Sequence, residues 1–112
     1  MENKVKKYQE IIQDFLATQA SYRPNKDGVE TQVIADTLNH HYQLLRIGWR
    51  NGRFVRGCRF HFDIKNDKVW IQENRTDIDV AEELMDLGIP KSDIVIGFLP
   101  IESRELSGYA VA

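Results

Sequence analysis

The sequence is poor in the features that advertise chemistry. It holds one cysteine, Cys58, so no disulfide can form within the chain and no zinc site can be built from thiolates of one molecule alone. No apolar run approaches the ~20 residues of a spanning helix, so no membrane association is expected. Met1-Glu2-Asn3-Lys4 lacks the apolar segment of a signal peptide. Together these point to a reducing, cytoplasmic setting. Charge of one sign is lacking too: the net charge is −2, so no global field draws the chain to nucleic acid. Gly48, Gly52, Gly57 and Gly88 do not form a phosphate-cradling loop before a helix, and no nucleophile elbow is present. Enzymatic motifs are missing, and neither catalysis nor a cofactor is expected.

What is present suffices for one domain, residues 1–112. A length of 112 residues with 42% hydrophobic content can bury a core without covalent staples. Residues 3–19 read as a helix, because Val5, Tyr8, Ile12, Phe15 and Leu16 recur at spacings of three and four. Four strands follow: 29–36, 41–50, 53–65 and 68–74. Asn51-Gly52 suits the positive φ angles of a tight hairpin turn, and Asn66-Asp67 is a plausible second turn. Thr76 and Asp79 are N-cap candidates for a helix over 80–87, which Gly88 and Pro90 end. Ile94 to Leu99 suits a short strand or a buried segment. The expected fold is α+β: an antiparallel meander of four or more strands, the N-terminal helix packed on one face, and a C-terminal helical region.

The turns imply a register, and the register sorts side chains by face. Counting back from Asn51-Gly52, Trp49 opposes Phe54, Leu45 opposes Cys58, Gln43 opposes Phe60 and His41 opposes Phe62. This places Leu45, Ile47, Trp49, Phe54, Cys58, Phe60, Phe62, Ile64, Val69 and Ile71 on a core face. Tyr42, Leu44, Arg46, Arg50, Arg53, Val55, Arg59, His61, Asp63, Trp70 and Gln72 fall on the other, mixed face. Arg56 lands on the core face, and Gly57 suggests a bulge that turns it outward.

His61 and Asp63 stand two apart on the mixed face, close enough for an acid–base pair or two ligands of a metal. Their nearest neighbours there, Gln72, Tyr42 and Trp70, are poor ligands, and no metal site is expected. His40 and His41 point to opposite faces. Asp63 with Glu73-Asn74-Arg75 resembles a metal-nuclease spacing, but the register sets the two carboxylates on opposite faces. Cys58, on the core face, reads as an inert buried thiol.

The arginines carry more information. Between Arg46 and Arg59 lie five arginines and no acid, whereas Glu73 to Glu105 holds nine acids against Arg75, Lys91 and Arg104. Arg46, Arg50, Arg53 and Arg59, with Tyr42 and Trp70 nearby, form the candidate binding set. Such a surface suits a protein partner, in which arginine and aromatics are enriched. It suits phosphates and stacked bases, or a solvated hairpin, less well, because the chain is acidic overall and half of that face is aliphatic.

The whole chain resembles the XisI family, the fdxN-element excision controlling factors of cyanobacteria. The resemblance is carried by His41-Tyr42-Gln43-Leu44-Leu45, Gly48-Trp49, Val55-x-Gly57-Cys58 and His61-Phe62-Asp63-Ile64-Lys65. It continues through Val69-Trp70-Ile71-Gln72-Glu73-Asn74, Ala81-Glu82-Glu83-Leu84, Gly88-Ile89-Pro90-Lys91-Ser92-Asp93-Ile94-Val95 and Tyr109-Ala110-Val111-Ala112. One departure is that Leu99-Pro100 follows Gly97-Phe98 where family members often have His-Pro. The resemblance implies an accessory factor without catalysis, acting beside a XisH-like protein in programmed excision of a DNA element by a separate recombinase. A homodimer or a hetero-oligomer with the XisH-like partner is expected, with DNA contacted directly or only through that partner. It implies no catalytic residues.

Overall fold

The computed structural model describes residues 3–112. Its elements are α1 (Lys4–Ser21), β1 (Val29–Asp36), β2 (His41–Arg50), β3 (Arg53–Lys65), β4 (Lys68–Asn74), α2 (Val80–Asp86), a 3-10 turn (Lys91–Asp93), β5 (Ile94–Ile96) and α3 (Ile101–Ser107). The strands form one sheet in the order β1-β2-β3-β4-β5. The first four pair antiparallel, and β5 adds parallel to β4. The fold is the α+β arrangement that the hydrophobic patterning implies.

Local chemistry explains the boundaries. Asn51 and Gly52 hold φ of 52° and 77°, and Asn66 and Asp67 hold 54° and 61°, as paired positive-φ turns require. Asn3 caps α1 by accepting from the Val5 and Lys6 amides. Asp79 caps α2 by accepting from the Glu82 amide, and Glu82 and Glu83 face the positive end of its dipole. Gly28 and Gly48 let β1 and β2 approach closely: a Cβ on Gly48 would fall 1.9 Å from the Gly28 carbonyl oxygen. Buried Tyr8, Ile12, Phe15 and Leu16 lay α1 across the sheet, where Phe15 meets Phe60 and Phe62 edge-on. Tyr42, Leu44, Ile64, Val69 and Ile71 complete that layer, and Val80, Ala81, Leu84, Ile89 and Ile94 close its end.

This core differs from the one the turns imply. The expected register holds at the hairpin tip, where Trp49 pairs with Phe54 and Leu45 with Cys58. It then breaks, because Leu44 pairs with Phe60 and leaves Arg59 as an extra residue on β3. A bulge of this kind exchanges the faces of everything beyond it. Phe60, Phe62 and Ile64 therefore share the α1 face with Tyr42 and Leu44, rather than with Leu45, Ile47, Trp49, Phe54 and Cys58. Trp49 and Phe54, expected in the core, meet at 5.2 Å with their rings inclined at 52° on the opposite face and are 62% and 53% exposed. A second irregularity, in the β3–β4 ladder, leaves Gln72 without an opposite residue and pairs His61 with Glu73. Glu73 thus comes to the face of Asp63 instead of the reverse side.

The C-terminal residues cover part of that second face. Ala110 bridges Val95 in parallel, and the Ala110 amide donates to the Ile94 carbonyl at 2.9 Å. Arg104 donates to the carbonyls of Leu99, Gly97 and Val111 at 2.8, 3.2 and 3.3 Å, tying α3 to the segments on either side. Trp70 and Val95 are buried beneath this cover.

Candidate functional site

β4 ends at Asn74, opposite Phe60. Beyond the Arg75 amide, which donates to the Arg59 carbonyl, β3 from Arg53 to Cys58 is paired with β2 alone. A shallow groove of about 290 Å³ runs along this stretch, lined by Arg46, Arg50, Arg56, Arg59 and Arg75 with Val29 and Val55 among them. Gly57 lies within it, and a Cβ there would meet nothing within 4 Å. The groove is a concave surface faced by guanidinium groups.

The bulge explains the crowding. It sets Arg59 near Arg23 and Arg46, and burial together with those two cations holds its guanidinium below the usual arginine range. Arg46 is fixed by donating to the Thr31 hydroxyl at 2.9 Å and to the Arg23 carbonyl at 3.2 Å. Among the described residues, none of the arginines from 46 to 59 makes an ion pair with a carboxylate; the one arginine so paired is Arg75, with Glu73. Positive charge concentrated this way, without local compensation, favours an anionic partner. Bidentate donors of fixed planar geometry suit carboxylates and phosphates alike.

Of the residues picked out in the sequence, Arg46, Arg50 and Arg59 line this groove, and Arg53 stands opposite Arg50 at its hairpin end. Tyr42 and Trp70 do not join them. Tyr42 is 0% exposed and lies in the core under α1, its hydroxyl against His40 Nδ1 at 2.9 Å. Trp70 is buried on the opposite face, its ring between the Lys65 ammonium at 4.1 Å and the Arg104 guanidinium at 5.2 Å. Neither aromatic presents a surface for stacking. Sequence reasoning missed Arg56 and Arg75 as groove residues. Gly57 hinted at the first, but nothing local signals that Arg75 doubles back beside Arg59.

A family model described as XisI protein matches residues 1–111. The chain belongs to the XisI family. Two solved structures extend the likeness within it. A XisI-like protein from Anabaena variabilis superposes with a TM-score of 0.92 at 41% identity, over 96% of this chain and 99% of that one. The fdxN element excision controlling factor XisI from Anabaena variabilis superposes at 0.86 and 29% identity, over 98% and 100% of the two chains. No curated protein matches. Among the described residues, no helix is long and apolar enough to cross a membrane.

Proposed function

We propose that this XisI-family chain is a non-catalytic accessory factor in the excision of a DNA element by a separate recombinase. It acts by docking a XisH-like protein, through an acidic surface of that partner laid into the arginine groove. The observation that carries the excision role is the end-to-end superposition on the fdxN element excision controlling factor. The docking face is supported by the guanidinium groups of Arg46, Arg50, Arg56 and Arg59, which lack carboxylate partners among the described residues. Arg50→Glu with Arg56→Glu is expected to abolish co-purification with the XisH-like protein while the circular dichroism spectrum and melting temperature stay within error of the parent. Undiminished co-purification would remove the groove as the docking face.

The same uncompensated charge favours a second reading, direct binding of DNA phosphates. The four unpaired groove arginines on B-DNA would give a log–log salt slope of about −3 to −4, shrinking by roughly one for each arginine removed. Anisotropy with a duplex separates the two readings, because docking to an acidic protein leaves the DNA signal flat.

A further inference from the structure

The two bulges have an effect away from the groove. Because the β2–β3 ladder slips at Arg59, His41 stands opposite Asp63 and Gln43 opposite His61. His41, which the turn-implied register sets opposite Phe62, thereby joins His61 and Asp63 on the face not covered by α1. His41 Nδ1 lies 2.7 Å from Asp63 Oδ1, and His61 Nε2 lies 2.9 Å from that same oxygen. The ligand-type atoms of the three fall within 4.8 Å of one another. We propose that His41, His61 and Asp63 form a binding site for a zinc-class divalent cation, in which water takes the remaining position.

The donor set is appropriate. Two imidazoles and one carboxylate suit a borderline cation such as Zn²⁺, with bond lengths of about 2.0–2.2 Å. Tetrahedral coordination at those lengths separates ligand atoms by about 3.3 Å. The present 2.7 and 2.9 Å contacts therefore need to widen by only about half an ångström to admit an ion between them.

The surroundings also match. A metal-binding carboxylate or imidazole is normally held by a further hydrogen bond at its other atom. Gln72, the unpaired residue of the β3–β4 ladder, donates from Nε2 to Asp63 Oδ2 at 3.1 Å. Gln43 Nε2 lies 3.3 Å from His61 Nδ1, and turning that amide over would offer its oxygen to the Nδ1–H of a metal-bound His61. Asp63 is only 9% exposed, whereas the His41 side chain is 55% exposed and gives an ion its way in. Lys65, two residues along β3, lies over the Trp70 ring, and the ion pairs of Asp63 are with the two histidines.

The test uses the untagged full chain and Zn²⁺ alone by calorimetry, with Co²⁺ absorption reporting coordination. One equivalent is expected to bind, with His41→Ala weakening it at least tenfold and His61→Ala or Asp63→Asn at least as much. Gln72→Leu should weaken it by about tenfold, as loss of a supporting hydrogen bond does. His40→Ala should leave it unchanged, since His40 bonds Tyr42 instead. His41 is the most exposed of the three ligands, so its variant should fold normally even if the others do not. Failure of the parent to bind at millimolar Zn²⁺, or equal binding by parent and His41→Ala, would overturn the proposal.

Discussion

The guanidinium of Arg104 lies 5.2 Å from the ring centre of Trp70, and its nitrogens donate to three carbonyls on either side of α3. One side chain thus fastens the C-terminal segment and roofs an otherwise exposed indole. Hydrogen bonds from a charged donor are among the stronger ones, though partial exposure lowers their worth. Arg104→Ala is expected to cost about 1–3 kcal/mol. Faster hydrogen exchange at the Ala110 amide should accompany it, with a red-shifted Trp70 emission in a Trp49→Phe background. Unchanged exchange at Ala110 would mean that the strand contact alone holds the segment.

The exchange of faces at Arg59 makes a contrast that denaturant melts can read. Leu44 is 1% exposed against α1, so Leu44→Ala should cost about 2–5 kcal/mol. Trp49→Ala and Phe54→Ala, at the exposed tip, should each cost no more than about 1 kcal/mol despite removing larger side chains. The opposite ranking would restore the unbulged register.

Gly48 combines a φ of 151° with the Gly28 carbonyl where its Cβ would be. Gly48→Ala must push β1 away from β2, and a loss above about 3 kcal/mol is expected from clash and strain together. Gly52→Ala meets nothing within 4 Å and bears only the strain of its φ of 77°, about 1 kcal/mol. Melts of the two variants side by side check this.

Cys58 is expected to be a slow thiol. Burial and the adjacent Glu73 carboxylate both disfavour the thiolate and push the group up to about 11. Alkylation by iodoacetamide should be sluggish at neutral pH and plateau only above about pH 11, with Glu73→Gln moving the midpoint down. The folded state keeps its proton longer than the unfolded chain, whose thiol titrates near ~8.5. This group's contribution to stability is therefore complete below that pH and lost as pH rises toward about 11. A midpoint indifferent to Glu73 would leave burial as the sole cause.

The strand boundaries were legible because Asn51-Gly52 and Asn66-Asp67 admit few alternatives to tight turns, and the apolar stripe of α1 located its buried face. The resemblance carried by stretches such as His61-Phe62-Asp63-Ile64-Lys65 led to the right family. Across the β2–β3 hairpin, side-chain facing was legible only as far as Cys58, whereas Phe62 opposite Ile71 and Ile64 opposite Val69 stand as the Asn66-Asp67 turn implies. An extra residue in a ladder has no periodicity of its own, and Arg59 is as polar as its neighbours. That hid Tyr42 in the core, put Trp49 in solvent and kept His41 from view beside Asp63. Trp70 does lie on the expected face, opposite Asp63; what the sequence hid is its separation from the arginines under Arg104, 34 residues on, a contact that no local pattern announces.

The bare flank of β3 between Arg53 and Cys58 is the kind of edge along which identical chains stack into fibres. Here any second copy arriving strand to strand would bring its own guanidinium row against the first. Like charges oppose that match, so the cationic lining works against polymerisation along that seam.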